Sequence, residues 1–428
     1  MAEAHTARRL RNIVGGSAGN LVEWFDWYVY SAFALYFASA FFPKGDQTAQ
    51  LLSTAAVFAV GFVMRPIGAW LMGIYADHKG RKAGLTLSVT LMCAGSLIIA
   101  VAPTHAQAGL LSPALLVAAR MLQGLSLGGE YGSSATYLSE MAGRERRGFW
   151  SSFQYVTIIG GQLLALALLV TLQAFLTEGQ LEAWGWRLAF GAGGALAIVA
   201  FFIRRRLDET QSFQNVAAKA DRPKSSSRNL FRDHPREAFL VMALTAGGTA
   251  AFYAYTIYLQ KFLVNTSGFD RATASRIMTI ALALMMLVQP LAGRLSDRVG
   301  RKPIMIFFGV CGTLFTYPIF TTLEGTHDVL PAFAVVMAAL LIVTGYTSIN
   351  AVVKAELFPS HIRALGVALP FAIANTIFGG TAEYVALSLK SAGHERWFYI
   401  YISGLIACSL VAYISMRETK SSSLIAED

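Results

Sequence analysis

The stretch GNLVEWFDWYVYSAF, Gly19–Phe33, sets Glu23 and Asp26 among aromatic and aliphatic residues. Together with Asn20 they are spaced three apart, so on a helix they share one face, which continues loosely to Tyr30. Arg65, Arg120 and Glu130 interrupt other apolar runs in the same isolated way. Carboxylates and guanidiniums so placed can take up and release protons, and can hold an anion in a planar fork of N–H donors. Covalent chemistry lacks its groups. His5, His78, His105, His234, His327, His361 and His394 fall in loops or at the ends of apolar runs, and neither H-E-x-x-H nor G-x-x-x-x-G-K-[ST] occurs. Cys93, Cys311 and Cys408 stand far apart and suggest neither a disulfide framework nor a metal site. The expectation is a protein that is not an enzyme and that needs no cofactor or metal.

The elements that must position these groups follow from composition. The chain is 55% hydrophobic and 14% charged, against about 25% charged in soluble domains. Apolar runs long enough to cross a bilayer lie at roughly 13–40, 50–75, 84–102, 113–140, 149–175, 186–204, 238–262, 272–293, 303–322, 329–353, 364–389 and 397–416. Long continuous runs predict helices, whereas a barrel would show short alternating segments. The first run is too long for a signal peptide and is kept as a span. A charge at mid-bilayer costs about 2.5 to 3.5 kcal/mol on insertion scales, so the isolated ones should face the bundle interior and pair there.

Basic residues gather before the first span and after each even-numbered one: Arg8, Arg9 and Arg11; Lys79, Arg81 and Lys82; Arg144, Arg146 and Arg147; Arg298, Arg301 and Lys302. Both termini are therefore expected in the cytoplasm. Basic loops beside anionic lipid also account for the net charge of +10 without any nucleic acid. The longest loop, 204–236, carries charges, serines and Pro223 and reads as a linker. The division expected is a six-helix unit at 1–203, the linker, a second six-helix unit at 237–416, and a cytoplasmic tail at 417–428. Each half carries copies of the same signatures. GIYADHKGRK matches GRLSDRVGRK, ATYLSEMAGRERRG matches KAELFPSHIRALG, and IGGQLLALAL matches FGGTAEYVAL, all at nearly one offset.

The loop G-x-x-x-D-x-x-G-R-K between the second and third spans, and RMLQG at Arg120–Gly124, resemble signatures of the major facilitator superfamily. GNLVEWFDWYVY, MRPIGAWLMGIYADHKGRK, LQGLSLGGEYGSSATYLSE, FQYVTIIGGQLLAL and FGGTAEYVALSLK resemble more narrowly its metabolite:proton symporters, and most of all the bacterial carriers of 2-oxoglutarate. The likeness runs from about Asn12 to about Ala412. It implies an all-α membrane protein of twelve helices in two pseudo-symmetric bundles that rock about a central site. It also implies proton-coupled symport of a small organic dicarboxylate across a bacterial inner membrane, by a chain that works as a monomer. Citrate, shikimate or betaine and proline as substrates, and obligate dicarboxylate exchange, stay open.

Within that expectation a first-span carboxylate pairs with the arginine of R-x-x-Q-G, which here implies Asp26 with Arg120. Proton coupling then falls to Asp26, Glu23, Arg120 and Glu130, although Glu130 in LGGEYG reads equally well as a packing charge. Arg65 has no carboxylate four residues away on its own helix and is expected to bind substrate with Arg120. The seventh span, AFYAYTIYLQKF, has no carboxylate where Glu23 and Asp26 sit in the first, so the second half is expected to offer hydroxyls and cations. Tyr30, Tyr253, Tyr255, Asn350 and Asn375 are the candidates, while Lys354 is expected to snorkel from the end of its span. By resemblance, Asp77, Arg81, Glu140 and Arg147, with Asp297, Arg301, Glu356 and Arg363, form an ion-pair network closing the cytoplasmic mouth. Gly124, Gly128, Gly129, Gly160, Gly161, Gly379 and Gly380 are expected where helices approach closely.

Overall fold

A computed structural model of the chain describes residues 20–43, 46–79, 81–141, 144–205, 226–359 and 362–425; the side chains at 73, 74, 76–79, 81–85, 130, 133, 134, 137, 140, 141 and 203–205 lie outside that description. Hydrocarbon offers the backbone no hydrogen-bond partner, so each crossing must close its own N–H to C=O bonds, and the described residues form helices and no strand. In chain order the crossings are α1 (20–41, broken at Phe33), α2 (Gln47–Lys79), α3 (Arg81–Val101), α4 (111–141), α5 (Arg147–Phe175) and α6 (Trp186–Arg205). The second half holds α7 (Pro235–Asn265), α8 (Arg271–Val299), α9 (Arg301–Glu324), α10 (Val329–Glu356), α11 (Arg363–Ser391) and α12 (Glu395–Ser415). Ten of these are long and apolar enough to span a membrane, Thr86–Val101 of α3 is a shorter apolar helix, and α1 brings the number to twelve among the described residues.

The spans expected from sequence are found with shifted ends. Residues 13–19 of the first lie outside the described residues, as do 206–225 of the linker, whose remainder contains a short helix, Ser227–Asp233.

Packing repeats between the halves. In the first, α2 lies on α4 and α3 on α6; in the second, α8 lies on α10 and α9 on α12. The halves meet chiefly where α5 crosses α8 and where α2 and α4 meet α11. At the α5–α8 crossing Gly148 faces Gly293, and a Cβ on Gly148 would stand 2.6 Å from the Gly293 carbonyl oxygen, so only glycine allows this approach. Gly124 and Gly128 press on the α2 backbone in the same manner. Large apolar side chains such as Val63, Leu164, Leu287 and Leu314 turn outward. The outward tryptophans sit toward span ends, Trp70 and Trp150 at the end bearing most basic residues and Trp184 and Trp397 at the other, as an aromatic belt requires.

Three α-helices carry an irregular turn beside the interface between halves. Wide, π-type turns occupy Ala254–Tyr258 in α7 and Asn375–Gly379 in α11, and α10 is interrupted at Ser348–Ile349 before resuming at Asn350. Such turns free backbone groups and re-aim side chains, and they concentrate at working positions.

Candidate functional site

The polar face of α1 is buried, with Asn20, Glu23 and Asp26 all turned from lipid. Asn20 is held between Trp24, whose indole N–H donates to it at 3.0 Å, and Thr157 of α5 at 2.9 Å. The Asp26 carboxylate accepts from the Ser96 hydroxyl and from Gln123 Nε2, the latter at 2.9 Å. It lies over Gly193 of α6, where any Cβ would collide with Asp26 Oδ1. Arg120 does not reach the carboxylate as expected. Its Nη1 donates instead to Gln123 Oε1 at 2.7 Å, so the two charges are joined through one amide. Gln123 follows Arg120 by one turn of α4 and offers a donor to one side and an acceptor to the other, which a direct pair would leave unused.

Arg120 and Arg65 share an aromatic bed. The Arg120 guanidinium lies 3.8 Å from the centroid of Trp27, 4.4 Å from that of Tyr30 and 5.1 Å from that of Phe58. Arg65 lies 4.2 Å from Trp27, 4.0 Å from Phe62 and 5.3 Å from Trp24. Both side chains are buried, and Nε and Nη2 of each have no hydrogen-bond acceptor among the described residues. Ring faces stabilise a desolvated cation by about 2 kcal/mol, less than the several kcal/mol that full burial of a charge costs. Two guanidiniums with idle donors against one indole therefore make a place where a bound anion gains both charge and hydrogen bonds.

The tyrosines and asparagines expected here divide. Tyr30 supplies its ring to Arg120, while its hydroxyl donates to the Thr54 carbonyl at 2.8 Å. Tyr253 reaches across from α7 and packs on Phe58 and Phe62, beneath Arg65. Tyr255 is not central: its hydroxyl pairs with Thr316 of α9 at 2.5 Å, the two positions from Tyr253 having turned it to the far side of α7. Asn375 accepts from Thr249 and ties α11 to α7. Asn350 Oδ1 accepts from the Tyr131 hydroxyl and from Lys354 Nζ, both at 2.9 Å. Lys354 does not snorkel. The break in α10 turns the whole of Asn350–Glu356 inward, and Lys354 is fully buried.

Sequence reading passed over Glu383 of α11, which pairs with Lys261 of α7 at 2.5 Å, while the same ammonium donates to Ser31 of α1 at 3.2 Å. An acid inside an apolar run was the available signal. At the less basic end Gln173 donates to Ser275 at 3.3 Å and Arg271 pairs with Glu182 at 2.5 Å, joining the halves. Between α1, α5 and α7 remains a cavity of about 10 Å³, room for one water. A larger space of about 230 Å³, lined in part by Gln47, Gln50, Glu182 and Arg271, lies toward that same end.

At the basic end Asp297 of α8 accepts from the backbone N–H groups of Gly148 at 2.7 Å and Phe149 at 2.9 Å, and from Arg301 at 2.7 Å. A carboxylate of one half thus caps the first turn of α5 in the other, where the helix dipole favours it. Glu356 lies 3.7 Å from Arg147 and 3.6 Å from Arg301, and Arg363 donates to the carbonyls of Ala355 and Phe358. The segment after α12 joins in: Glu418 accepts from the N–H groups of Arg301 and Lys302, Thr419 donates to Glu356 at 2.6 Å, and Arg147 donates to Ser423 at 3.2 Å. The side chains of Asp77, Arg81, Glu140 and Glu130 lie outside the described residues.

The sequence profile of the Major Facilitator Superfamily matches residues 17–382. The chain is 52% identical to the "Alpha-ketoglutarate permease" of Escherichia coli (strain K12), over 98% of this chain and 96% of that one. It is 32% identical to a "Citrate-proton symporter" of Klebsiella pneumoniae, over 96% and 92% of the two chains. It is 29% identical to a "Proline/betaine transporter" of Salmonella typhimurium, over 95% and 83%. Among solved structures, the proton:xylose symporter XylE bound to 6-bromo-6-deoxy-D-glucose superposes with a TM-score of 0.78 at 18% identity, covering 96% of this chain and 97% of that one. That likeness is one of fold.

Proposed function

The chain belongs to the Major Facilitator Superfamily, and from that premise we propose that it carries 2-oxoglutarate together with protons, by alternating access to one central site. It is a multi-pass membrane transporter and not an enzyme. The observation that carries the anion reading is the pair of buried guanidiniums on Trp27 with donors left idle. Likeness to the E. coli permease supports 2-oxoglutarate over citrate. A zwitterion such as betaine offers two such cations a single carboxylate and brings a positive charge of its own toward them, so a dicarboxylate suits them better. In this reading the bundles at 1–203 and 237–416 rock about the site as a monomer, joined by 204–236. The basic end faces the cytoplasm of a bacterial inner membrane, so that both termini are inside.

Coupling follows from the amide between Asp26 and Arg120. With Asp26 ionised, Gln123 gives its N–H₂ to the carboxylate and its oxygen to Arg120. A proton arriving on the oxygen facing Gln123 makes that oxygen a donor, so the amide turns over and presents N–H₂ to a guanidinium that can only donate. Arg120 is released and its fork becomes free for a carboxylate. Proton and substrate thereby favour each other, as symport requires. Glu23, one turn away, and Glu130 are the further acids of this reading.

The test is uptake into proteoliposomes under an imposed pH gradient, with labelled 2-oxoglutarate, citrate, shikimate and betaine. Accumulation of 2-oxoglutarate that collapses with the gradient is expected. Preference for betaine, or uptake only against preloaded dicarboxylate, overturns the substrate or the symport respectively. Arg65→Gln should raise the half-saturation concentration for 2-oxoglutarate about tenfold or more, since a charge-assisted hydrogen bond contributes about 1.5–3 kcal/mol, with protein abundance unchanged. Equal affinity of variant and parent removes Arg65 from the site.

A further inference from the structure

Two lysines are buried among the helices of the second half, and the protein treats them differently. Lys261 is neutralised by Glu383. Among the described residues Lys354 Nζ has a single hydrogen bond, to Asn350 Oδ1, and no carboxylate within ion-pair distance. Its other neighbours are ring faces: Phe371 at 4.1 Å, with Tyr131 and Tyr346 at 5.7 Å. The Tyr346 hydroxyl and Ser348 Oγ, at the break in α10, are likewise buried without partners among the described residues. The surroundings of Lys354 repeat in kind those of Arg65: a buried cation, an aromatic bed and idle polar groups.

Place agrees with kind. Gly128 presses on the Arg65 carbonyl, and Tyr131 follows it by three residues, about 4.5 Å further along α4. Tyr131 stacks on Phe371 with centroids 3.7 Å apart, first half against second, and Lys354 stands against that stack. The cations of the two halves therefore lie at adjacent depths on either side of the interface.

We propose that Lys354, positioned by Asn350, is the second half's pole of the substrate site and takes the second carboxylate of a dicarboxylate whose first is held by Arg65 and Arg120. The proposal rests on the dicarboxylate reading above. It explains why a cation is kept where an apolar residue would pack at no electrostatic cost. It also gives the two halves a reason to close: each holds one end of the same molecule, and the anion neutralises charge that otherwise meets only rings and neutral amides. Selectivity for two carboxylates over one then resides in α10.

The experiment compares two ligands of equal chain length, 2-oxoglutarate and 2-oxopentanoate, the second lacking the distal carboxylate. Binding of each to the purified full-length protein in lipid nanodiscs is titrated for the parent, Lys354→Gln and Lys354→Arg. The parent should prefer 2-oxoglutarate at least about tenfold, the magnitude of one charge-assisted contact. Lys354→Gln should lose that preference while binding 2-oxopentanoate as the parent does. Lys354→Arg should retain part of it. If the parent shows the preference and the Gln variant keeps it, or loses both ligands equally, Lys354 is only a packing residue and the proposal falls while the dicarboxylate reading stands. A parent that binds neither acid overturns both. Should the Gln variant not fold, the Arg variant decides: an altered ratio supports contact, and the parent's ratio overturns it.

Discussion

Asp26→Asn should reduce accumulation of 2-oxoglutarate under a pH gradient by at least about tenfold, the worth of 1.4 kcal/mol, while counterflow against preloaded substrate continues. Asparagine fills the space over Gly193 and still reaches Ser96 and Gln123, so the packing of α1, α3, α4 and α6 is kept. What it lacks is a second protonation state. The amide of Gln123 then holds one orientation at every pH, and Arg120 no longer alternates between partner and substrate. Exchange needs only the loaded carrier to cross. Net uptake needs the empty carrier to return, and that return depends on Arg120 recovering its place in the relay, because an unpartnered buried charge costs several kcal/mol. Glu23→Gln combined with Asp26→Asn should remove any remaining coupling through the next turn of α1. Gradient-driven accumulation in that double variant would move the coupling site to Glu130.

The second large effect is expected at Asp297. Alanine there removes the acceptor for two backbone donors of α5 and the partner of Arg301 in one step. Charge-assisted hydrogen bonds contribute about 1.5–3 kcal/mol each, so the balance between forms closed and open at the basic end should shift about tenfold or more. A cysteine in place of Ser152, buried at the α5–α8 crossing, would report the change. Its labelling by a membrane-impermeant maleimide added on the side of the basic end should rise by that factor in the Asp297→Ala background, and net uptake should fall in parallel. An unchanged labelling rate would leave these charges a role in membrane topology alone.

Twelve spans and two matched halves could be read from the sequence because a lipid environment writes long apolar runs, and because duplicated loops keep their spacing. Asp26, Arg65 and Arg120 were legible for the same reason, each being a charge that hydrocarbon penalises. What joins them was not. Gln123 stands in the R-x-x-Q-G signature, yet nothing in that motif shows it as the link until Asp26, nearly a hundred positions away in the chain, is placed against it. Lys354 fell at the edge of a span drawn by hydropathy, and nothing in hydropathy shows that α10 breaks at Ser348–Ile349 and turns the next seven residues inward. Tyr255 was misplaced by rotation alone, since a run of aromatics does not say which of them faces the partner half. The segment around Glu418 and Thr419 has the composition of a solvated tail, and only its contacts with Arg301 and Glu356 make it part of the closed end.

The indole of Trp27, pressed by two guanidiniums, is also a lamp. Of the seven tryptophans, Trp70, Trp150, Trp184 and Trp397 are 58%, 44%, 43% and 63% exposed on the outer surface, where brominated acyl chains would quench them. The light that survives comes from Trp24, Trp27 and Trp186, and two of these lie against Arg65. Emission wavelength follows the charge beside the ring, so drawing the guanidiniums toward a bound carboxylate should shift this residual emission. In a Trp27→Phe variant the shift should shrink to whatever Trp24 alone can give. The carrier would then report its own occupancy, without label or radioisotope, from the residue on which both cations rest.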